Sequence, residues 1–260
     1  VLKKLGVAVQ GVFMELENKI RRDPAKSPVP QGGLHPITRY VMNYLRAACR
    51  SVETLDQVFE EGGTSLAVQL VWIMDLLESN LEIKADIYND RALRSVFLIN
   101  NGSYIANKAA DGELGLLLGD DWLRKHQAKI KQLFSAYLKS SWNKLVNVLR
   151  AESNAAAAAA AGMPASSIKE TMKLFSSRFE ETCRTQSQWV VSDEQQRKEL
   201  RLSVGRLVVP TYENFLGRFH NAPEVGKHAD RYIKFSVEDV EIKINELFQG
   251  GSGLSSGGRS

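Results

Sequence analysis

Between Ile37 and Phe59 the apolar residues fall every three or four positions: Ile37, Tyr40, Val41, Tyr44, Leu45, Ala48, Val52, Leu55, Val58 and Phe59. On a helix that spacing lines one face, whereas on a strand it would scatter the same residues over both. The spacing predicts one helix, stopped by Gly62-Gly63. A second helix is expected from Ser65 to Tyr88, with Leu66, Leu70, Trp72, Ile73, Leu76, Leu77 and Leu81. It is apolar on more than one side, which predicts a place in the middle of a stack.

The same period continues. Asn89-Asp90 and Asn100-Asn101-Gly102 are expected to supply breaks and caps. Asp120-Asp121 can cap a long helix that carries Trp122, Ile130, Phe134, Tyr137, Trp142, Leu145 and Leu149. Ser167-x-x-Glu170 and Ser192-x-x-Gln195 match the capping box, and Ser236 is placed to cap a last helix through Val240, Ile244 and Phe248. Pro210 is expected to kink or break the helix in which it falls.

Nowhere do β-branched residues alternate between turn signals, so no sheet is expected. The fold class predicted is all-α: an elongated stack of consecutive helical bundles, a rod in which short links make neighbouring helices mostly antiparallel. Residues 1–153 are assigned to the first bundles. Residues 154–165, with seven consecutive alanines, are assigned to a flexible connector, because methyl groups alone give no stripe to dock. Residues 166–249 are assigned to a C-terminal bundle, and the Gly/Ser-rich stretch 250–260 to a disordered tail.

At 260 residues and 43% hydrophobic, the chain can bury a full core. No stretch approaches the roughly 20 apolar residues that span a bilayer. The opening VLKKLGVAVQG begins mid-pattern without signal-peptide organisation, and reads as a cut made inside a longer protein.

No constellation for catalysis emerges. Cys49 and Cys183 each fall within a helical pattern and read as small buried hydrophobes. His35, His126, His220 and His228 show no metal-ligand spacing, so neither metal nor cofactor is expected. Gly253-Leu254-Ser255-Ser256-Gly257 matches the nucleophile-elbow pattern, but that chemistry needs a strand-to-helix turn. The four tryptophans read as core, on or next to apolar stripes. Binding, not catalysis, is the expected mode of action.

Net charge is +4, too weakly basic to argue for nucleic acid. Its distribution says more. From Arg197 to Lys234 eight cations (Arg197, Lys198, Arg201, Arg206, Arg218, Lys227, Arg231, Lys234) face four acids (Glu199, Glu213, Glu224, Asp230). That window holds the whole chain's excess, so electrostatic contacts are expected near the C-terminal end.

The run His35-Pro36-Ile37-Thr38-Arg39-Tyr40-Val41-Met42-Asn43-Tyr44-Leu45 resembles a hallmark of the plant seventy-kilodalton subunit of the exocyst vesicle-tethering complex. Further blocks match in order: Phe97 to Asn101, Leu117 to Trp122, Gln188 to Asp193, Pro210-Thr211-Tyr212 and Arg231 to Asp239. The resemblance covers residues 5–249. It implies a non-catalytic rod of helical bundles, cytoplasmic and peripherally associated with the plasma membrane. Implied partners are other exocyst subunits, phosphatidylinositol bisphosphate and a Rho-type GTPase. An alternative implied role is a plant-immunity module recognised by a regulator peptide or pathogen effector in a groove between helices. The block Arg231-Tyr232-Ile233-Lys234-Phe235 resembles the lipid-contacting motif, which places Arg231 and Lys234 first, with Lys227, His228, Arg218 and Arg206 as sequence neighbours. Each cation near an anionic membrane is worth about 1 kcal/mol. His35-Pro36-Ile37-Thr38 reads as structural: Pro36 pre-sets a helix start, and Thr38 with Arg39 is expected to lock the entering loop.

Overall fold

Short polar residues set the helix ends, and the apolar stripes between them set which helices meet. The computed structural model describes residues 2–110, 112–159, 168–223 and 225–250. Ten α-helices run through these residues: α1 (Leu2–Arg22), α2 (Pro36–Ala48), α3 (Val52–Glu61), α4 (Leu66–Ala85), α5 (Arg91–Ala110), α6 (Glu113–Ser140), α7 (Trp142–Ala159), α8 (Ile168–Ser187), α9 (Glu194–Asn221) and α10 (Val237–Asn245). Among the described residues the only strand-type pairing is an isolated antiparallel bridge between Val190 and Gln249. The all-α class predicted from the spacing holds.

The chain divides into two compact units, Val1–Phe134 and Ser135–Ser260. In the first, α4 packs against α1, α2, α3 and α5, the central place its apolar composition predicted. Leu70, Ile73, Met74 and Leu77 on α4 are fully buried, and Ser65 caps the helix by accepting from the Val68 N–H. One side of α4 stays open: Val68, Ile83 and Trp72 are exposed. Trp72 thus departs from the expectation of a core tryptophan, and the Arg21 guanidinium lies 5.7 Å from its ring centroid.

The loop after α1 makes a 3₁₀ turn at Pro30–Gly32 and is tied to the helices by buried side chains. Lys84 Nζ donates to the Asp23 carbonyl at 2.8 Å, the Tyr88 hydroxyl to the Val29 carbonyl at 2.9 Å, and Asn100 Nδ2 to the Gly32 carbonyl at 2.7 Å. His35 caps α2, its Nδ1 accepting from the Ile37 N–H. Pro36 at the first turn needs no donor there. A polar cluster around the buried His126 joins three helices. Glu78 of α4 meets His126 Nδ1 of α6 at 2.5 Å, His126 Nε2 meets the Gly102 carbonyl of α5 at 2.9 Å, and Lys129 also donates to Glu78.

The second unit packs α7 against α8 and α9, and α10 against α9. Its core is aromatic: Tyr137, Trp142, Phe175, Phe179, Tyr212, Phe215 and Phe219 are all fully buried. Phe175 stacks on both Phe179 and Tyr212. The segment after α10 is bonded to the end of α8, with the N–H groups of Phe248, Gln249 and Gly250 donating to the carbonyls of Gln186, Ser187 and Trp189. Arg201 of α9 closes the same corner by donating to the Leu247 carbonyl.

Several local expectations are corrected. Asn100-Asn101-Gly102 is not a break but the buried middle of α5, where both amides reach outward to loop backbone. The helix predicted from Ile37 to Phe59 is two, α2 and α3, separated by a 3₁₀ turn at Cys49–Ser51 with Ser51 at non-helical dihedrals (φ −117°, ψ 35°). Gly119 (φ 80°) interrupts α6 just ahead of Asp120, and the predicted run on to Leu149 restarts at Trp142. Asp193, not Ser192, caps α9, its carboxylate accepting from the Gln196 N–H at 2.8 Å. Pro210 does not end α9. Burial of Val208, Tyr212, Phe215 and Phe219 on both sides of it outweighs the roughly 3 kcal/mol a mid-helix proline costs.

The alanine run assigned to a connector is helical through Ala159 as the end of α7, and its remainder lies outside the described residues. So do Ser167, with its capping box, and residues 251–260 of the predicted tail. Helix α7 packs with α8 and α9 and belongs to the second unit.

Candidate anionic-lipid site

The segment between α9 and α10 is fixed from below by apolar residues. Val225, Ala229 and Phe235 are buried, and Phe235 packs edge-on to Phe179 at 5.5 Å. The Tyr212 hydroxyl donates to the Phe235 carbonyl at 2.6 Å, and burial pushes that phenol up to about 12. Ser236 and Asp239 then form a reciprocal capping box that starts α10. Residues of Arg231-Tyr232-Ile233-Lys234-Phe235 are thereby committed to the core or left outside. Arg231, Tyr232 and Lys234 are exposed.

The structure brings Lys234 onto α8, where its ammonium donates to Glu180 Oε2 at 2.6 Å. Hydrogen bonding from Lys234, together with the charges of Lys243 and Arg184, holds the Glu180 carboxyl below its ordinary range. Lys169 of α8 lies 4.7 Å from the centroid of the Tyr232 ring, which in turn meets Phe219 edge-on. Tyr232, Lys169, Lys243 and Glu180 therefore belong to this surface, and charge counting along the sequence missed them. Tyr232 alone left a signal, lying between the two matched cations.

Arg218 and Arg206 fall elsewhere. Arg218 is half-buried, with its guanidinium 3.4 Å from the Leu149 carbonyl and 5.6 Å from the Phe215 ring, so it serves the packing of α9 on α7. Arg206 lines a groove of about 430 Å³ with Arg201, Leu202, Pro210, Glu241 and Ile244. The side chains of Lys227 and His228 lie outside what is described.

Among the described residues no group of His, Cys, Asp or Glu could hold a metal ion. Both cysteines are buried and unbonded, and burial pushes their thiols up, Cys49 to about 11 and Cys183 to about 12. That is the opposite of what a nucleophile requires. No helix among the described residues is long and apolar enough to cross a membrane.

Residues 1–246 match the family model for the C-terminal part of the Exo70 protein of the exocyst complex. The chain belongs to the Exo70 exocyst subunit family. It is 57% identical over 257 residues to exocyst complex component EXO70B1 of Arabidopsis thaliana, covering 96% of this chain and 41% of that protein. It is 49% identical to EXO70B2 of the same plant, covering 95% of this chain and again 41% of the relative. The chain thus spans about two-fifths of the length of these Exo70 relatives. Among solved structures it is similar to Saccharomyces cerevisiae Exo70 with a TM-score of 0.72 at 17% identity, covering 95% of this chain and 52% of that one. A second yeast Exo70 structure gives a TM-score of 0.71 at 18% identity, covering 95% of this chain and 53% of that one. At that identity the likeness shows the shared helical-bundle fold.

Proposed function

We propose that this chain is the membrane-meeting part of an exocyst subunit that helps tether secretory vesicles to the plasma membrane. It works by binding, at the cytoplasmic face, a polyphosphoinositide together with protein partners: other exocyst subunits and a Rho-type GTPase. The observation that carries the lipid reading is the exposed Arg231-Tyr232-Lys234 edge, held in place by the buried Phe235 beneath it. Two long cations beside an exposed aromatic suit a phosphorylated headgroup at a membrane interface. Membership of the Exo70 family supports the tethering role.

The test is co-sedimentation of the chain with phosphatidylcholine vesicles that contain phosphatidylinositol 4,5-bisphosphate. Binding should weaken as salt is raised. Arg231→Glu combined with Lys234→Glu should abolish it, while circular dichroism stays unchanged. Equal sedimentation of parent and double variant would remove these residues from the site.

A second reading is a plant-immunity module recognised by a regulator peptide or pathogen effector. It is favoured by the groove along α9, where Leu202 is 57% exposed beside Arg206 and Pro210. Leu202→Asp should then abolish capture of that partner and leave vesicle binding intact. Unchanged capture would remove the groove from this reading.

A further inference from the structure

Lys234 is not a bare cation. Its ammonium lies 2.6 Å from Glu180 and 5.6 Å from the centroid of the buried Phe235 ring. Lys243, carried by α10, lies 5.5 Å from the same centroid. One aromatic ring thus gathers ammonium groups from two elements. Arg184 follows Glu180 by one turn of α8, on the same face. Lys234, Lys243 and Arg184 all act on the Glu180 carboxylate, the first through its hydrogen bond and the others through charge. Asp239, one of two acids in the first turn of α10, accepts from the Ser236 N–H at 2.8 Å and also feels the charge of Lys243. Three cations still outnumber the two carboxylates, Glu180 and Asp239, on which they act.

We propose that Glu180 occupies a phosphate position, and that Lys234, Lys243 and Arg184 form an anion subsite open only to a group able to displace that carboxylate. For its membrane form the inference rests on the lipid reading above. A phosphomonoester carries nearly two charges and three acceptor oxygens, so it competes well against one carboxylate. The phosphodiester of an ordinary anionic lipid carries one charge and competes poorly. Glu180 therefore acts as a selectivity gate: it lowers affinity for every anion and rejects the singly charged ones most.

The chain is compared with its Glu180→Gln, Lys243→Gln and Glu181→Gln variants, the last removing an equal charge one residue away. Three probes are used: vesicles with phosphatidylinositol 4,5-bisphosphate, vesicles of matched charge made with phosphatidylserine, and soluble inositol 1,4,5-trisphosphate measured by calorimetry. Glu180→Gln should tighten bisphosphate binding about fivefold, the size of one unit charge at an anionic surface, and should raise phosphatidylserine binding by more. Lys243→Gln should weaken bisphosphate binding about fivefold. Glu181→Gln should change little. Unchanged or weaker binding in Glu180→Gln, or an equal gain in Glu181→Gln, overturns the subsite. A gain seen with inositol trisphosphate, where no variant and not the parent sediments with vesicles, keeps the subsite and overturns the membrane reading. Vesicle binding by the parent that is lost in the Arg231/Lys234 double variant but unmoved by Glu180→Gln does the reverse.

Discussion

Asn101 Oδ1 accepts from two donors at once, the Thr38 hydroxyl at 2.6 Å and the His35 backbone N–H at 3.0 Å. Its amide nitrogen donates to the Phe97 carbonyl at 2.7 Å. A fully buried side chain on α5 thereby fixes the start of α2, more than sixty residues earlier in sequence. The densest block of family signature, His35 to Leu45, meets the Phe97-to-Asn101 block at this point, so the most recognisable residues hold the fold and lie outside the proposed lipid site.

Removing that shared acceptor should be costly. Asn101→Ala strands the Thr38 hydroxyl and the His35 N–H, and is expected to destabilise the first unit by about 3 kcal/mol, against about 1 kcal/mol for Thr38→Val, which keeps shape and deletes one donor. Urea denaturation followed by circular dichroism measures both. Equal losses would show that Asn101 serves Thr38 alone.

Glu78 gives the first unit an acid limit. Burial works to raise its carboxyl, but hydrogen bonds from His126 and Lys129 outweigh it and hold the group below its ordinary range. Its contribution is thus present above the unfolded value, about 4.3, and is lost as pH falls through the lower folded value. Urea midpoints of the parent should drop in acid, and Glu78→Gln, less stable near neutral pH, should show a flatter profile there. A drop of the same size in the variant would assign the acid limit to other carboxylates.

Pro210 sits inside α9 without an N–H for the Arg206 carbonyl four residues back. Pro210→Ala restores that donor at a position already helical. It should raise the stability of the second unit by about 1 kcal/mol. A rise in thermal midpoint checks this; a fall would mean that the proline ring packs better than its missing donor costs.

Both thiols should be silent in the native protein. With Cys183 and Cys49 buried and their thiols pushed up, an aromatic disulfide reagent at about pH 8 should react with neither until denaturant is added. Rapid labelling of either without denaturant would place it at the surface.

The fold was legible because burial on a helix is periodic, and periodicity survives in sequence without knowledge of partners. Positions such as Leu70, Ile73 and Leu77, or Phe175 and Phe179, announce themselves in that way. What sequence misread was polar. Asn100-Asn101-Gly102 carries the composition of a helix terminus, because short amides compete locally for backbone bonds. Here those amides are satisfied by Gly32, Thr38 and His35, far off along the chain, so the helix runs on. The same limit applied to the basic surface. Charge counting found Arg231 and Lys234, but gave equal weight to Arg218, which is half-buried against α7. It could not see that Glu180 on α8 already holds Lys234. Long-range polar partners leave no period.

The backbone bonds from Phe248, Gln249 and Gly250 to the end of α8 have a consequence for how the protein is made. A ribosome releases those residues only after all the helices of the second unit have emerged. The aromatic core of α7, α8 and α9 must therefore wait, partly uncovered, for a clasp that is synthesised after it, while the helices of the first unit can already close on one another. Chaperone dependence during translation should accordingly fall on the second unit.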